Sequence, residues 1–322
     1  MARIAVIGGG AIGCFYAAQC VLAGHAVSVL FRRDADRVAR DGLRLHRTPT
    51  DQVAGTFRGD LALSPTAMRV CRTAEELTRE GAPDWILVAM KTTALGSAAP
   101  HLAEAARGGG DVVVLCNGLD VEEDLVPVIE PSRLFGMLCF VCVDRDAEGV
   151  IHHRAHGRVA VGHRDDDARR ASRLADLVTG IGIRCERVAS LREARWRKLA
   201  WNIPFNGLGV VGADGGANTS IILADAGLRQ RAEVLMRETI AIANADLAAR
   251  GRPERIDADV LVPELFERTA GMGCYRTSTQ LDLLGGRPLE IEHLFARPLR
   301  RSYQLDVMAP GLARLLAELE HA

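Results

Sequence analysis

Short apolar runs alternate with helical stretches through the first half of the chain. Runs with β-branched residues predict strands at Ala2–Ile7, Ala26–Phe31, Trp85–Met90 and Asp111–Cys116. Helical stretches fall between them, at Ala11–Ala23, Thr73–Glu80 and Ala94–Ala106. Thr73 with Glu76 three residues on has the spacing of a capping box. Two longer extended segments, Arg133–Val143 and Gly149–Gly162, flank the polar turn Asp144–Gly149 and predict an antiparallel extension of the sheet. The charge run Arg164–Arg170 predicts a solvated helix start, and Ile183–Val188 a last strand. After Ser190 strands disappear. Helical patterns take over at Leu191–Leu208, Asn218–Ala249, Val260–Ala270 and Leu289–Leu305. The expected fold class is α/β. A Rossmann-type doubly wound sheet spans residues 1–189 and an all-helical domain spans 190–322.

Composition changes this picture little. The 322 residues are 48% hydrophobic and 25% charged, as in soluble globular proteins, and are enough for two domains. A formal net charge of −1 gives no excess of positive charge for nucleic acid or a membrane surface, so neither partner is expected. The apolar stretch Met1–Gly24 resembles a secretory leader, but its glycines suit a strand–turn–helix better. No run of eighteen apolar residues predicts a membrane span. The eight cysteines have no repeated spacing. Cys139 and Cys142 lie in the apolar run Phe135–Val143 and read as buried strand rather than as a metal or redox pair. The expected compartment is the cytoplasm.

Candidate chemistry begins at Gly8-Gly9-Gly10-Ala11-Ile12-Gly13. Gly8, Gly10 and Gly13 have the G-x-G-x-x-G spacing, directly after a strand and at the start of a helix. In this pattern the first glycine allows the tight turn, the second lets backbone approach a pyrophosphate, and the third lets helix and strand pack closely. The helix would turn its free N–H groups to the phosphates. Where NAD-binding versions carry an acidic residue, at the end of the second strand, this chain has Arg32. A guanidinium there suits a 2′-phosphate, so the expected cofactor is NADP(H). The plainer alternative is that Arg32 and Arg33 are solvated at a strand end.

A second constellation lies on the helix Leu191–Leu208. Lys198, Asn202 and Asn206 are four residues apart and line one face, among Leu199, Ala200, Trp201, Ile203 and Phe205. A lysine there either snorkels to water or faces a polar cleft, and two amides on its face favour the cleft. Pro204 cannot donate to the carbonyl of Ala200 and predicts a kink. Lys91 and Asn117-Gly118 follow predicted strands directly, at the carboxyl ends where open α/β sheets bind ligands, although a loop lysine and a turn account for them equally well. Ser278 is placed to cap the helix Thr279–Leu284, and Glu290 falls in a first helical turn, where a carboxylate stabilises without any ligand. A helical domain after a dinucleotide domain predicts a cleft for a small substrate.

Seven stretches together resemble the ketopantoate reductase (2-dehydropantoate 2-reductase) family over nearly the whole chain. They are Gly8–Gly13, K-T-T-A-L at Lys91–Leu95, C-N-G-L at Cys116–Leu119, H-G-R-V-A-V-G at His156–Gly162, R-K-L-A-W-N-I-P-F-N at Arg197–Asn206, T-S-T-Q-L-D at Thr277–Asp282 and G-R-P-L-E-I-E at Gly286–Glu292. The resemblance implies NADPH-dependent reduction of 2-dehydropantoate to pantoate, toward pantothenate and coenzyme A. It implies that Lys198 is the proton donor and that Asn202, Asn206 and Ser278 bind substrate. By the same resemblance Asn117 touches cofactor and substrate, Arg32 and Lys91 contact the adenosine phosphate end, and Glu290 meets the cofactor ribose. A small 2-oxo acid is the expected partner, with a homodimer as a further expectation. The run His293-Leu294-Phe295-Ala296 and the loop Gly212–Asn218 depart from the family pattern, which bears on the acyl group recognised. Two rival readings stand beside this one: a reductase of another 2-oxo acid or related carbonyl, and an NADP(H)-binding sensor without turnover.

Overall fold

A computed structural model describes residues 1–47, 59–213 and 216–322. The described chain divides into two compact units. One comprises Met1–Cys116 and Val121–Leu191; the other comprises Asn117–Asp120 and Arg192–Ala322.

The first unit is an α/β sheet built from β1 (Arg3–Ile7), α1 (Ala11–Leu22), β2 (Ala26–Leu30), α2 (Ala35–Asp41), β3 (Leu43–Arg47), β4 (Leu61–Leu63), β5 (Arg69–Cys71) and α3 (Ala74–Thr78). It continues with β6 (Trp85–Val88), α4 (Leu95–Ala106), β7 (Asp111–Val114), β8 (Leu134–Arg145), β9 (Ile151–His163), α5 (Ala168–Gly180) and β10 (Cys185–Arg187). The strands form one sheet in the order β4-β3-β9-β8-β7-β6-β1-β2-β5, with β10 also paired to β9. Strands β5, β2, β1, β6 and β7 are parallel neighbours, as the alternation of strands and helices predicts. β8 and β9 form the expected antiparallel extension, in register from Phe135↔His163 to Arg145↔Ile151 through two irregularities. The central strands are apolar on both faces because both are covered. Ile4 and Val6 enter one core with Phe15 of α1 and Leu174 of α5; Ala5 and Ile7 enter the other with Leu77 of α3 and Leu102 of α4. β2 and β5 lie on one side of β1 and β6 on its other side, while β3 and β4, between β2 and β5 in sequence, pair at the far end beside β9. The turn after β1 therefore stands at the topological switch point, where sheets of this kind bind ligands.

The second unit is helical: α6 (Leu191–Val211), α7 (Thr219–Ala224), α8 (Ala226–Ala249), α9 (Ala258–Ala270), α10 (Ser278–Leu284), a π-helical turn (Glu292–Ala296), α11 (Arg297–Gln304) and α12 (Pro310–Glu320). Its core gathers Trp196, Leu199, Ile203 and Phe205 of α6 with Met236 and Ile240 of α8, Leu294 and Phe295 of the π turn, and Leu312 and Leu315 of α12. Leu119, fully buried, belongs to this core although the chain on either side of Asn117–Asp120 lies in the sheet unit.

Several local expectations are corrected. The predicted helix Asn218–Ala249 is two helices. Asp225 has extended backbone (φ −81°, ψ 119°), and its carboxylate accepts from the Leu228 N–H at 2.8 Å to cap the second. Thr73 makes no side-chain cap; Glu76 instead accepts from the N–H of Arg72, one residue before the cap position, at 2.6 Å. The helix expected from Leu289 begins later, and its first turns are π-helical. α6 continues through Pro204 to Val211. Strands β3, β4 and β5, helix α2 and helix α12 are additions to the predicted set.

Candidate active site

The glycine turn is shaped by what a side chain would strike. At Gly8 φ is +112°, and a Cβ would stand 2.5 Å from the Ala89 carbonyl oxygen. A Cβ on Gly13 would overlap the Gly8 carbonyl, and one on Gly9 would overlap the Phe31 ring. Gly10 differs: nothing lies within 4 Å of where its Cβ would be. The chain's own packing excludes side chains at three of these positions, whereas at Gly10 it leaves open space beside the N-cap of α1. Ala11, Ile12 and Gly13 open that helix, and its first turn carries no acidic residue. Open backbone and unopposed N–H groups make a cradle for an anion.

Two features flank the cradle. Arg32 and Arg33 stand exposed beyond β2. Arg145, from the far end of β8, donates to the Gly9 carbonyl and pairs with Asp34, so it ties the glycine turn to the turn that carries the two arginines. Its guanidinium also reaches the Cys14 sulfur at 3.3 Å. Burial pushes the Cys14 thiol up to about 11, against the opposing pull of Arg145, so it stays protonated at neutral pH. Lys91 is half-buried at the start of a short 3₁₀ turn, Thr92–Ala94; it stands three residues past β6 rather than directly after it. A charged cavity of about 490 Å³ opens at the opposite, amino ends of the strands. Its arginines are spoken for: Arg173 pairs with Asp111 at 3.1 Å, and Arg133 donates to the carbonyls of Gly110 (3.0 Å) and Ala106 (2.8 Å).

The remaining candidates lie in the helical unit. With 100° of rotation per residue, Arg195, Lys198, Asn202 and Asn206 of α6 fall within an arc of about 80°. Asn202 and Asn206 are buried, and Lys198 is half-buried rather than solvated. Each end of this stripe holds a loop. At its start Arg195 donates to the Gly118 carbonyl at 3.1 Å, next to Asn117. Gly118 has φ +115°, and a Cβ there would be 2.5 Å from His293 Cβ and 2.8 Å from its carbonyl oxygen. The Leu119 N–H donates to that same carbonyl at 2.9 Å. Glu290, buried, lies three residues before His293 and just outside the helix that was expected to contain it. At the stripe's other end Asn206 Oδ1 accepts from the Thr279 hydroxyl at 2.9 Å and from its N–H at 3.4 Å. Ser278, adjacent, is the first residue of α10. The cap it was expected to provide comes from Thr277, whose hydroxyl accepts from the Gln280 N–H at 3.3 Å. Asn117, Lys198, Asn202, Asn206, Ser278 and Glu290 thus belong to one unit, and Gly8–Gly13, Arg32 and Lys91 to the other.

The segment Asn117–Asp120 is fastened further by charge. Arg192, near the start of α6, pairs with Asp120 and, through Nε at 2.6 Å, with Asp246 of α8. Arg301 of α11 reaches Asp120 at 3.1 Å and Asp246 at 3.5 Å. Trp196 Nε1 donates to Asp246 at 2.8 Å, and Arg297 donates to the Asp120 carbonyl at 2.8 Å. Burial raises the pKa of both carboxyls, but Arg192 and its neighbours outweigh it, and both end below the usual aspartate range. Asp120 itself has φ +55°, which a short polar side chain tolerates better than most. Arg195 and Asp120 are absent from the sequence-derived site. The signal for Arg195 was available, three residues before Lys198 on the same face.

Among the described residues no group of three or more His, Cys, Asp or Glu is placed to hold a metal ion, and no helix is long and apolar enough to cross a membrane. A doubly wound sheet with an open glycine turn at its switch point is an architecture that binds dinucleotides, and the function it serves rests on its site rather than on its fold. Comparison with known proteins makes this specific. The family model described as ketopantoate reductase PanE/ApbA matches residues 4–166, and its C-terminal counterpart matches residues 190–322. The chain belongs to the ketopantoate reductase family. A 2-dehydropantoate 2-reductase of Nostoc sp. (strain PCC 7120) is 30% identical over 99% of this chain and 94% of its own. The crystal structure of 2-dehydropantoate 2-reductase from Geobacter metallireducens GS-15 superposes with a TM-score of 0.86 at 32% identity, covering 99% of both chains. A ternary structure of D-mandelate dehydrogenase with NADH and anilino(oxo)acetate superposes with a TM-score of 0.82 at 16% identity, a likeness of fold alone.

Proposed function

We propose that this protein reduces 2-dehydropantoate to pantoate with NADPH. The observation that carries the reading is the stripe on α6: a half-buried lysine between an arginine-held loop and two buried amides, in a chain 30% identical along almost its full length to a 2-dehydropantoate 2-reductase. The open backbone at Gly10 and the unopposed N-terminus of α1 fit a pyrophosphate. Exposed Arg32 suits the 2′-phosphate that distinguishes NADPH from NADH, Lys91 adds positive charge at the carboxyl edge of the sheet, and Glu290 offers a carboxylate to a ribose hydroxyl. NADPH, when bound, supplies the hydride.

The chain's residues supply the rest. The Lys198 ammonium stabilises the alkoxide that forms at C2 of the 2-oxo acid and gives it a proton from Nζ. Asn202, Asn206 and Ser278 hold the polar groups of the substrate, so that one face of the ketone is presented. Asn206 is well suited, because Thr279 fixes its oxygen and its amide nitrogen is a donor for a substrate oxygen. Asn117 serves both substrate and cofactor.

The test is NADPH oxidation with 2-dehydropantoate beside linear and branched 2-oxo acids. The highest kcat/KM is expected for 2-dehydropantoate; a clear preference for another acid reassigns the substrate within the same chemistry. Lys198→Ala is expected to lower kcat by about 10²–10⁴-fold, roughly 3–5 kcal/mol of barrier, with NADPH binding little changed. A variant that turns over near the parent rate overturns the assignment of Lys198.

A further inference from the structure

We infer that Asp120 is a positioning residue for Asn117, and that the charge network around it sets where Asn117 stands along the Lys198 face of α6. This rests on the proposed role of Asn117 in the reaction. The segment Asn117–Asp120 leaves the sheet unit for only four residues, yet it packs as part of the helical unit. Two of the four have positive φ, Gly118 at +115° and Asp120 at +55°, a path open to glycine and to a short polar residue, and neighbours from the helical unit hold it in place. The support is dense. Arg195 holds the Gly118 carbonyl, His293 accepts from the Leu119 N–H, Leu119 is buried in the helical core, and Arg297 holds the Asp120 carbonyl. At the end of the segment the Asp120 carboxylate takes Arg192 on one oxygen and Arg301 on the other.

What singles out a positioning role is where these partners come from. Arg192 and Arg195 are on α6, the helix that carries Lys198, Asn202 and Asn206. Arg192 is itself fixed from behind by Asp246, which Trp196 and Arg301 also hold. The acidic pair and the two arginines therefore lock the segment to the register of α6, and Asn117 is the residue at its start, directly after Cys116. Asp120 touches neither substrate nor cofactor in this account; it acts through Asn117.

A double-mutant cycle on kcat/KM for the 2-oxo acid tests this. Asp120→Asn keeps the shape and the tolerance of positive φ but removes the charge that holds both arginines. It is expected to lower kcat/KM about ten- to hundredfold. In an Asn117→Ala background the same substitution is expected to change kcat/KM by less than about twofold, because the residue it positions is already gone. Arg301→Gln loosens one oxygen of Asp120 and the longer contact to Asp246, and should give a smaller loss with the same lack of effect behind Asn117→Ala; it serves if Asp120→Asn folds poorly in thermal melts. Independent, multiplying losses overturn the inference and leave a structural network. Parent-like activity of Asp120→Asn and Arg301→Gln also overturns it. Parent-like activity of Asn117→Ala overturns the reading of Asn117 and the inference with it, whereas multiplying losses leave that reading intact.

Discussion

Arg32 and His153 show how differently single residues depend on their surroundings. Arg32 stands exposed at the end of β2, so its value lies in what it can meet rather than in what it holds. Arg32→Asp replaces the guanidinium proposed to meet the 2′-phosphate with a repelling charge and should weaken NADPH far more than NADH. Dissociation constants for the two cofactors check this; equal losses would mean that Arg32 faces no 2′-phosphate. His153 is the opposite case, almost wholly buried on β9 against Phe15, at 4.7 Å between ring centroids. Burial chiefly, with Arg47's charge adding to it and the His156 carbonyl opposing it, lowers its pKa from 6.5 to about 4. The folded state therefore holds His153 neutral where the unfolded chain would protonate it. The associated stability is fully present above pH 6.5 and is lost as pH falls toward 4, by an amount on the order of 2–3 kcal/mol. Urea denaturation of the parent and His153→Phe between pH 4.5 and 7 should show a steeper loss in the parent. Parallel curves would reject the account.

At the scale of elements, the glycine turn separates two roles that its motif merges. Gly13→Ala would drive a Cβ onto the Gly8 carbonyl, backbone that cannot turn aside, and should destabilise α1 against β1 by about 1–3 kcal/mol. Gly10→Ala meets only open space, so its melting temperature should stay near the parent's while NADPH affinity falls, since the new methyl would fill the space proposed for the pyrophosphate. Thermal melts and cofactor titration on the pair decide it; a strong loss of stability from Gly10→Ala would contradict the open cradle. The turn was readable in the sequence because strand, glycines and helix are contiguous. The α6 stripe was readable for the same reason: helical periodicity alone aligns Lys198, Asn202 and Asn206. The charge network was not, because Arg192 is 72 residues from Asp120 and 54 from Asp246, and Arg301 is 181 from Asp120. Short elements also escaped. β4 and β5 are three residues each, too brief for a period to register. β3 does alternate, with Leu43, Leu45 and Arg47 inward, and could have been seen. The departure noted at Gly212–Asn218 falls partly outside the described residues, at Asp214 and Gly215. That at His293–Ala296 is the π turn on which the Asn117 segment docks.

At the scale of the molecule, the order of strands and helices announced an α/β sheet followed by helices, since each half keeps its own hydrophobic period over many residues. A single boundary near residue 189 is what such a change of period can offer. The chain in fact passes between its compact units three times, after Cys116, after Asp120 and after Leu191. No local pattern marks the first two passages, because Leu119 looks like any apolar residue after a strand until the core it joins is known. The four-residue excursion has a practical sequel for anyone recombining relatives of this protein. A chimera spliced only near residue 190 would carry Asn117–Asp120 from one parent and the helices that receive it from the other. The bonds from Arg192, Arg195, Arg297 and Arg301 and to the His293 carbonyl would then cross a lineage boundary. The exchangeable block is the helical unit together with its four-residue graft, and libraries that respect this discontinuous seam preserve a matched pair that a contiguous splice separates.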